Sequence, residues 1–330
     1  MMALLVANSA DWVLFFCFPQ ILSHSDRLNK NKSSRGLTMC DFETQKDADD
    51  YLKTHPEISR REFTTLASGA GMAMIMPSIA GAQSISERDV EIRTPDGVAD
   101  CHFAYPSTGS HAAVLVWPDI LALRPAFREM GRRLAREGYA VLTVNPFYRD
   151  ARSPVVGLGA SFGQPEIRNL VLPMARNLNA DTHFTDAKTF TAWLDEQDEV
   201  DTSKGIGTTG YCMGGPMVMR TVAAVPGRFA AGATFHGGGL ATANPDSPHL
   251  LIPETQASML HCVADNDDQN DPQAKITLRE AYDSAGINAE IEVYSGALHG
   301  WCAIDSQVYH LDQAEKAWAR LLNLFASNLA

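Results

Sequence analysis

Gly210-Tyr211-Cys212-Met213-Gly214 is the stretch on which the fold turns. These five residues match the nucleophile elbow G-x-S-x-G, with cysteine in place of serine. In such an elbow a strand turns into a helix so sharply that the central residue takes strained backbone angles. Glycines two residues to either side keep the neighbouring strand and helix clear. The flanks agree: Gly205–Thr209 reads as a short strand and Gly214–Ala224 as a helix. The helix would aim its N-terminal dipole at Cys212 and favour thiolate over thiol, and the Met213 N–H would point to where an oxyanion forms. A buried structural cysteine at a glycine-rich turn is the plainer alternative, and the strand before and helix after it count against it. The overlapping Gly205-x-Gly207-x-x-Gly210 has the letters of a dinucleotide-binding turn. Its helix starts only after Gly214, however, and no acidic residue ends a following strand at the required distance.

An elbow of this kind is followed along the chain by an acid after a later strand, then by a histidine after the last strand. Ser258–Val263 reads as a strand that runs into Ala264-Asp265-Asn266-Asp267-Asp268. Ala289–Tyr294 reads as the last strand, followed by Ser295-Gly296-Ala297-Leu298-His299-Gly300. Asp267 is the candidate acid, with Asp265 and Asp268 as rivals that spacing leaves open, and His299 is the candidate base. His236, in Phe235-His236-Gly237-Gly238-Gly239, also ends a strand beside the elbow and could line a pocket; a structural role is expected for it.

Working outward, Val90–Arg93 and Ala99–Tyr105 read as a hairpin turned at Pro95-Asp96-Gly97. Ala112–Trp117 is nearly all apolar, as a strand covered on both faces should be. Pro125–Glu137 has helical periodicity, and Tyr139–Val144 is the next strand. Asp150–Gly163 reads as loop, Pro165–Leu178 and Thr185–Glu196 as helices, and Ala230–Phe235 as a strand. Pro272–Ala285 and Ser306–Phe325 complete the helices. This alternation specifies an α/β fold with a mostly parallel central sheet and helices on both faces.

Residues 1–82 read differently. Arg60-Arg61 precedes an uncharged run, Thr64–Ala80, which ends on the A-x-A pattern Ala80-Gly81-Ala82. Paired arginines, a weakly apolar run and a small-residue cleavage site resemble a twin-arginine export signal over 59–82, which would use the twin-arginine machinery and deliver the protein to the periplasm. A membrane anchor fits less well, because the run holds Gly69, Gly71 and Pro77 and falls short of the ~20 residues that span a bilayer. Residues 1–58 are read as a leader, with Met39 the expected start of translation. The expected mature domain is 83–330, with no stable membrane span.

The chain has 330 residues, 45% of them hydrophobic, and a formal net charge of -12. The 8 basic and 9 acidic residues of 1–82, taken from totals of 27 and 39, leave 19 and 30, so the acidity belongs to the folded part. An acidic chain without a basic stripe is a poor nucleic-acid binder. Six cysteines without a C-x-x-C pair exclude a zinc ribbon and argue against a disulfide scaffold. The histidines and cysteines show no metal-ligand spacing, so neither metal nor cofactor is expected.

Gly210-Tyr211-Cys212-Met213-Gly214-Gly215, Asp267 and Leu298-His299-Gly300 together resemble the dienelactone hydrolase family of the α/β-hydrolase fold, over about residues 90 to 325. The resemblance implies a Cys-His-Asp triad of Cys212, His299 and Asp267, with backbone N–H groups of Met213 and Ile120 as oxyanion donors. It places a carboxylate, here Asp119 where a Glu is usual, after the first central strand. It also implies an Arg that binds the substrate carboxylate, with Arg149 the candidate and Arg152 behind it. A second such Arg is expected four residues after the histidine, where this sequence has Ala303. The activity implied is hydrolysis of a small-molecule ester or lactone through a thioester, with an activated leaving group such as an enol favoured. Acyl transfer by the same triad and a non-catalytic binding module on the same fold are the alternatives.

Overall fold

The computed structural model describes residues 42–54 and 83–330. Within the stretch read as a leader, Phe42–Thr54 forms a helix, α1. Met39, the paired arginines, the apolar run and the cleavage pattern lie outside the described residues.

The hairpin expected around Pro95-Asp96-Gly97 is β1 (Ile85–Thr94) paired with β2 (Gly97–Pro106), and Gly97 takes the positive φ of +145° that the turn requires. There follow β3 (Ala113–Trp117), α2 (Pro125–Arg136), β4 (Ala140–Val144), α3 (Pro165–Asn177) and α4 (Ala180–Asp195). Next come β5 (Ile206–Tyr211), α5 (Gly214–Ala224), β6 (Phe229–Phe235), a 3-10 helix over Pro248–Glu254 and β7 (Ser258–Ala264). The chain closes with α6 (Asp265–Asn270), α7 (Pro272–Ala285), β8 (Ala289–Tyr294) and α8 (Leu311–Asn328).

Eight strands form one sheet in the order β1-β2-β4-β3-β5-β6-β7-β8. β2 is antiparallel to both β1 and β4, and every pairing from β4 through to β8 is parallel. Every residue of β3, β4 and β5 is buried, because helices cover both faces. The pleat divides β3 between two cores. Leu115 and Trp117 join Phe190 of α4, Val218 of α5 and Tyr282 of α7, whereas Val114 and Val116 join Phe127 of α2 and Leu321 and Phe325 of α8.

Register positions the site. Trp117 pairs with Gly210, Tyr211 with Phe235, and Ala264 with Tyr294, so the carboxyl ends of β3, β5, β6, β7 and β8 finish near one edge. Loops leaving those ends enclose a crevice, the usual ligand position in open α/β sheets. Several elements differ from the sequence reading. α4 begins at Ala180, five residues before the expected start. Asn179 caps it, accepting from the Thr182 N–H at 3.1 Å while the Thr182 hydroxyl accepts from the Asn179 N–H at 2.9 Å, a signal that lies ahead of the apolar periodicity. α8 begins at Leu311 rather than Ser306, because the chain first turns back so that the His310 N–H reaches the Trp301 carbonyl at 3.1 Å. α6, DNDDQN, carries no apolar residue and hence no periodicity to read.

Candidate active site

Cys212 sits on the elbow with φ +52°, a left-handed angle that costs a non-glycine residue about 1–3 kcal/mol. Its N–H donates to the Phe235 carbonyl at 3.0 Å, and its own carbonyl accepts from the Gly215 N–H at 3.0 Å, so the strained turn is pinned from both sides. Both elbow glycines are required by close approach. A Cβ at Gly210 would lie 2.3 Å from the Gly214 carbonyl oxygen, and one at Gly214 would lie 2.4 Å from the Trp117 carbonyl oxygen. The second contact docks the start of α5 against the end of β3. That brings the Pro118–Ala122 loop beside the sulfur.

The three aspartates after β7 have three different partners. Asp267 accepts from His299 Nδ1–H, at 2.7 Å to Oδ2 and 3.0 Å to Oδ1. Asp265 accepts from the Gly296 N–H at 2.7 Å, holding the loop that carries His299. Asp268 pairs with Lys275. Asn266 adds a fourth restraint, accepting from the His299 N–H at 2.9 Å. Burial pulls His299 toward its neutral form. The charge of Asp267, that of Cys212 and hydrogen bonds to both outweigh burial and hold the imidazole well above its ordinary pKa. Cys212, His236 and His299 each place a ligand-capable atom within 4.8 Å of the others.

Asp119 and Ile120 line the same cavity, of about 110 Å³, as Cys212 and His299. Asp119 Oδ1 accepts from the Leu121 N–H at 2.9 Å, and the Asp119 carbonyl accepts from the Ala122 N–H, which closes a tight turn with Ala122 at φ +62°. Among the described residues no carbonyl in a turn, loop or cap takes the N–H of Ile120 or Met213. The Asp119 carboxylate is itself clamped: Arg124 donates to it at 2.6 and 2.9 Å, and to Asp305 at 2.6 and 2.8 Å. Burial raises the Asp119 pKa, and Arg124 opposes it only in part. One guanidinium shared by two carboxylates leaves this side of the pocket with a formal charge of -1.

Arg149 is not brought to the cluster. Its guanidinium binds Asp186 at 2.7 and 2.9 Å and Asp96 at 2.6 and 3.0 Å, stacked over the Tyr148 ring. Arg152 pairs with Glu91 on the surface. Ala303, where a second Arg was expected, lines the pocket. Cys101, Cys262 and Cys302 are buried free thiols.

Sequence reasoning missed Arg124, Asp305 and α1. Ala48 of α1 lines the pocket, and Asp47 accepts from Asn266 Nδ2 at 3.0 Å, one residue from Asp267. The Arg124–Asp305 pair spans 181 residues, and no local pattern announces it. His236 was read as a residue that could line a pocket, with a structural role expected, and it does line the cavity. It carries φ +41° at the end of β6, and its ring packs 4.8 Å from that of His299.

The sequence model of the Dienelactone hydrolase family matches residues 100–329. A carboxymethylenebutenolidase of Rhodococcus opacus is 27% identical over 238 residues, covering 71% of this chain and 88% of its own. Among solved structures, a dienelactone hydrolase-like promiscuous phosphotriesterase from metagenomic libraries superposes with a TM-score of 0.61 at 20% identity, over 76% of this chain and all of its own. A dienelactone hydrolase from Anabaena variabilis superposes with a TM-score of 0.54 at 15% identity, over 74% of this chain and 99% of its own.

Proposed function

The chain belongs to the dienelactone hydrolase family, and from that premise we propose that it hydrolyses a small ester or lactone through a thioester on Cys212. The observation that carries the reading is the Asp267–His299 pair at 2.7 Å, with the imidazole and the Cys212 sulfur side by side in the wall of one cavity. His299, oriented by Asp267, takes the thiol proton; the thiolate attacks the substrate carbonyl, forming an S–C bond. The oxyanion is met by the N–H groups of Met213 and Ile120, each worth about 10²–10³-fold in rate where such donors have been removed. Collapse expels the alkoxide or enolate, which takes the proton from His299. Water, deprotonated by His299, then attacks the thioester and releases the acid and the thiol.

The pocket's charge bears on the substrate. With Arg124 spent on Asp119 and Asp305, Arg149 engaged by Asp96 and Asp186, and alanine at 303, no free guanidinium faces the cavity among the described residues. We therefore assign a neutral substrate with an activated, enol-like or aryl leaving group rather than a carboxylate-bearing lactone. Cys212→Ala should abolish hydrolysis of aryl esters and enol-lactones, and Asp267→Asn should lower kcat by about 10⁴-fold, as loss of the orienting carboxylate does in serine triads. Cys212→Ala turning over at the wild-type rate would sink the mechanism.

Residues 59–82 complete the proposal as a twin-arginine signal that takes the folded enzyme to the periplasm. Replacing Arg60-Arg61 by Lys-Lys should retain the precursor in the cytoplasm; unchanged export would count against it.

A further inference from the structure

The mechanism above leaves His236 without a task. This side chain is 1% exposed; among the described residues neither ring nitrogen meets a partner at strict hydrogen-bond geometry, and the polar group its ring does interact with is the Cys212 sulfur. Leaving buried imidazole nitrogens unmet is costly, and such groups call for an explanation. What faces the ring electrostatically is the Cys212 sulfur, then His299. Three separate strand ends, those of β5, β6 and β8, thus deliver one sulfur and two imidazole nitrogens to within 4.8 Å of one another. Behind His299, Asp267 accepts the Nδ1 proton at 2.7 Å. A carboxylate in that position fixes which nitrogen of a metal-binding histidine faces the ion and makes it a better donor.

We propose that Cys212, His236 and His299 form a binding site for a borderline-soft divalent cation, Zn2+ foremost, and that occupancy switches hydrolysis off by engaging the nucleophile. The switch rests on the reading of Cys212 as nucleophile; the site does not. Tetrahedral zinc, with sulfur at about 2.3 Å and nitrogen at about 2.0–2.1 Å, sets its donors roughly 3.3–3.6 Å apart. The cluster therefore needs to close by on the order of 1 Å, a matter of side-chain torsions. The fourth position opens to the cavity, where a water molecule or chloride can complete the shell. The absence of oxygen donors from the trio excludes Mg2+ and Ca2+. Binding involves no redox change: the cysteine ligates as thiolate, both histidines ligate neutral, and the protons released go to solvent.

The test uses the reduced full chain, freed of metal by a chelator and titrated with Co2+, then Zn2+. The expected result is one Co2+ per chain with a thiolate-to-cobalt charge-transfer absorption, displaced by one Zn2+. Hydrolysis should fall in proportion to Zn2+ occupancy and return on chelation. His236→Ala should weaken Co2+ binding at least tenfold, and Asp267→Asn by about 10–100-fold. If His236→Ala does not fold, wild-type protein alkylated at Cys212 serves instead and should lose the band. Catalytically active wild type that gives no charge-transfer band overturns the site. So do a band that survives alkylation and a His236→Ala variant that binds as tightly as wild type. Zn2+ bound without inhibition overturns the switch. Failure of the nucleophile reading has its own signature, hydrolysis by Cys212→Ala, and the band is read without turnover.

Discussion

Gly214→Ala probes the contact that joins the two halves of the proposed oxyanion site. A Cβ at residue 214 would meet the Trp117 carbonyl oxygen at 2.4 Å and the Pro118 carbonyl oxygen at 3.0 Å, both of them backbone atoms. Cβ atoms essentially never come closer than 3.0 Å to such a neighbour, and ordinary contact begins at 3.4 Å, so α5 and the end of β3 must separate by 0.6–1.0 Å. Met213 rides on α5 and Ile120 on the loop after β3, so the separation opens the gap between the two N–H donors. Misplacement by about 1 Å costs on the order of 10²-fold in rate, and forcing extra volume into a packed site costs about 1–3 kcal/mol of stability. The assay pairs kcat/KM on an aryl ester with a thermal melt. Gly286→Ala is the control: its added Cβ meets nothing within 4 Å, although its φ of +68° strains the backbone, so it should lose stability without a comparable loss of rate. Gly214→Ala with wild-type kcat/KM would refute the geometry. So would a rate loss matched by Gly286→Ala.

Two further outcomes follow from the charge layout. Arg149→Met breaks an ion pair whose Asp186 partner is buried, so the melt should drop by the equivalent of about 3 kcal/mol. The KM ratio between carboxylate-bearing and neutral esters should stay unchanged; a rise confined to the carboxylate-bearing ester would restore Arg149 to substrate binding. His183 and His261 are both fully buried and pushed down by desolvation to about 3, with Arg220 adding to the effect at His183. Their folded-state pKa values lie below the ordinary 6.5, so below pH 6.5 the unfolded chain takes up protons that the native chain refuses. Stability should therefore be lost as pH falls from 6.5 toward 3, by about 2.7 kcal/mol per histidine at pH 4.5. His261→Gln, at the site where Thr234 and Tyr282 meet the ring at 2.8 Å, should flatten the acid limb by one proton in denaturant titrations across that range. An unaltered slope would contradict the assignment.

The elbow was legible because its constraints are local. A strand, a positive-φ turn and a helix leave a five-residue pattern, and the glycines at 210 and 214 stand where a Cβ would collide with backbone. The Asp267–His299 pairing was legible as two positions because strand ends recur in chain order. That Asp267, and not Asp265 or Asp268, meets His299 needed coordinates, since three neighbouring aspartates on one short helical turn differ only in where their side chains point. The Arg124 clamp and the engagement of Arg149 were not legible. Both are set by partners far along the chain, Asp305 in one case and Asp96 and Asp186 in the other. Resemblance carried a carboxylate-binding role onto Arg149 that its own neighbours oppose. α1 escaped for the same reason. An acidic, weakly apolar segment gives no sign that Asp47 will meet Asn266.

The most direct measurement is the intact mass of enzyme quenched during turnover of an aryl or enol ester, followed by peptide mapping. The account predicts a population heavier by one acyl group, with the adduct on Cys212, labile to hydroxylamine and longer-lived in Asp267→Asn. Turnover by wild type with no adduct at any quench time, while Cys212→Ala retains activity, would contradict it.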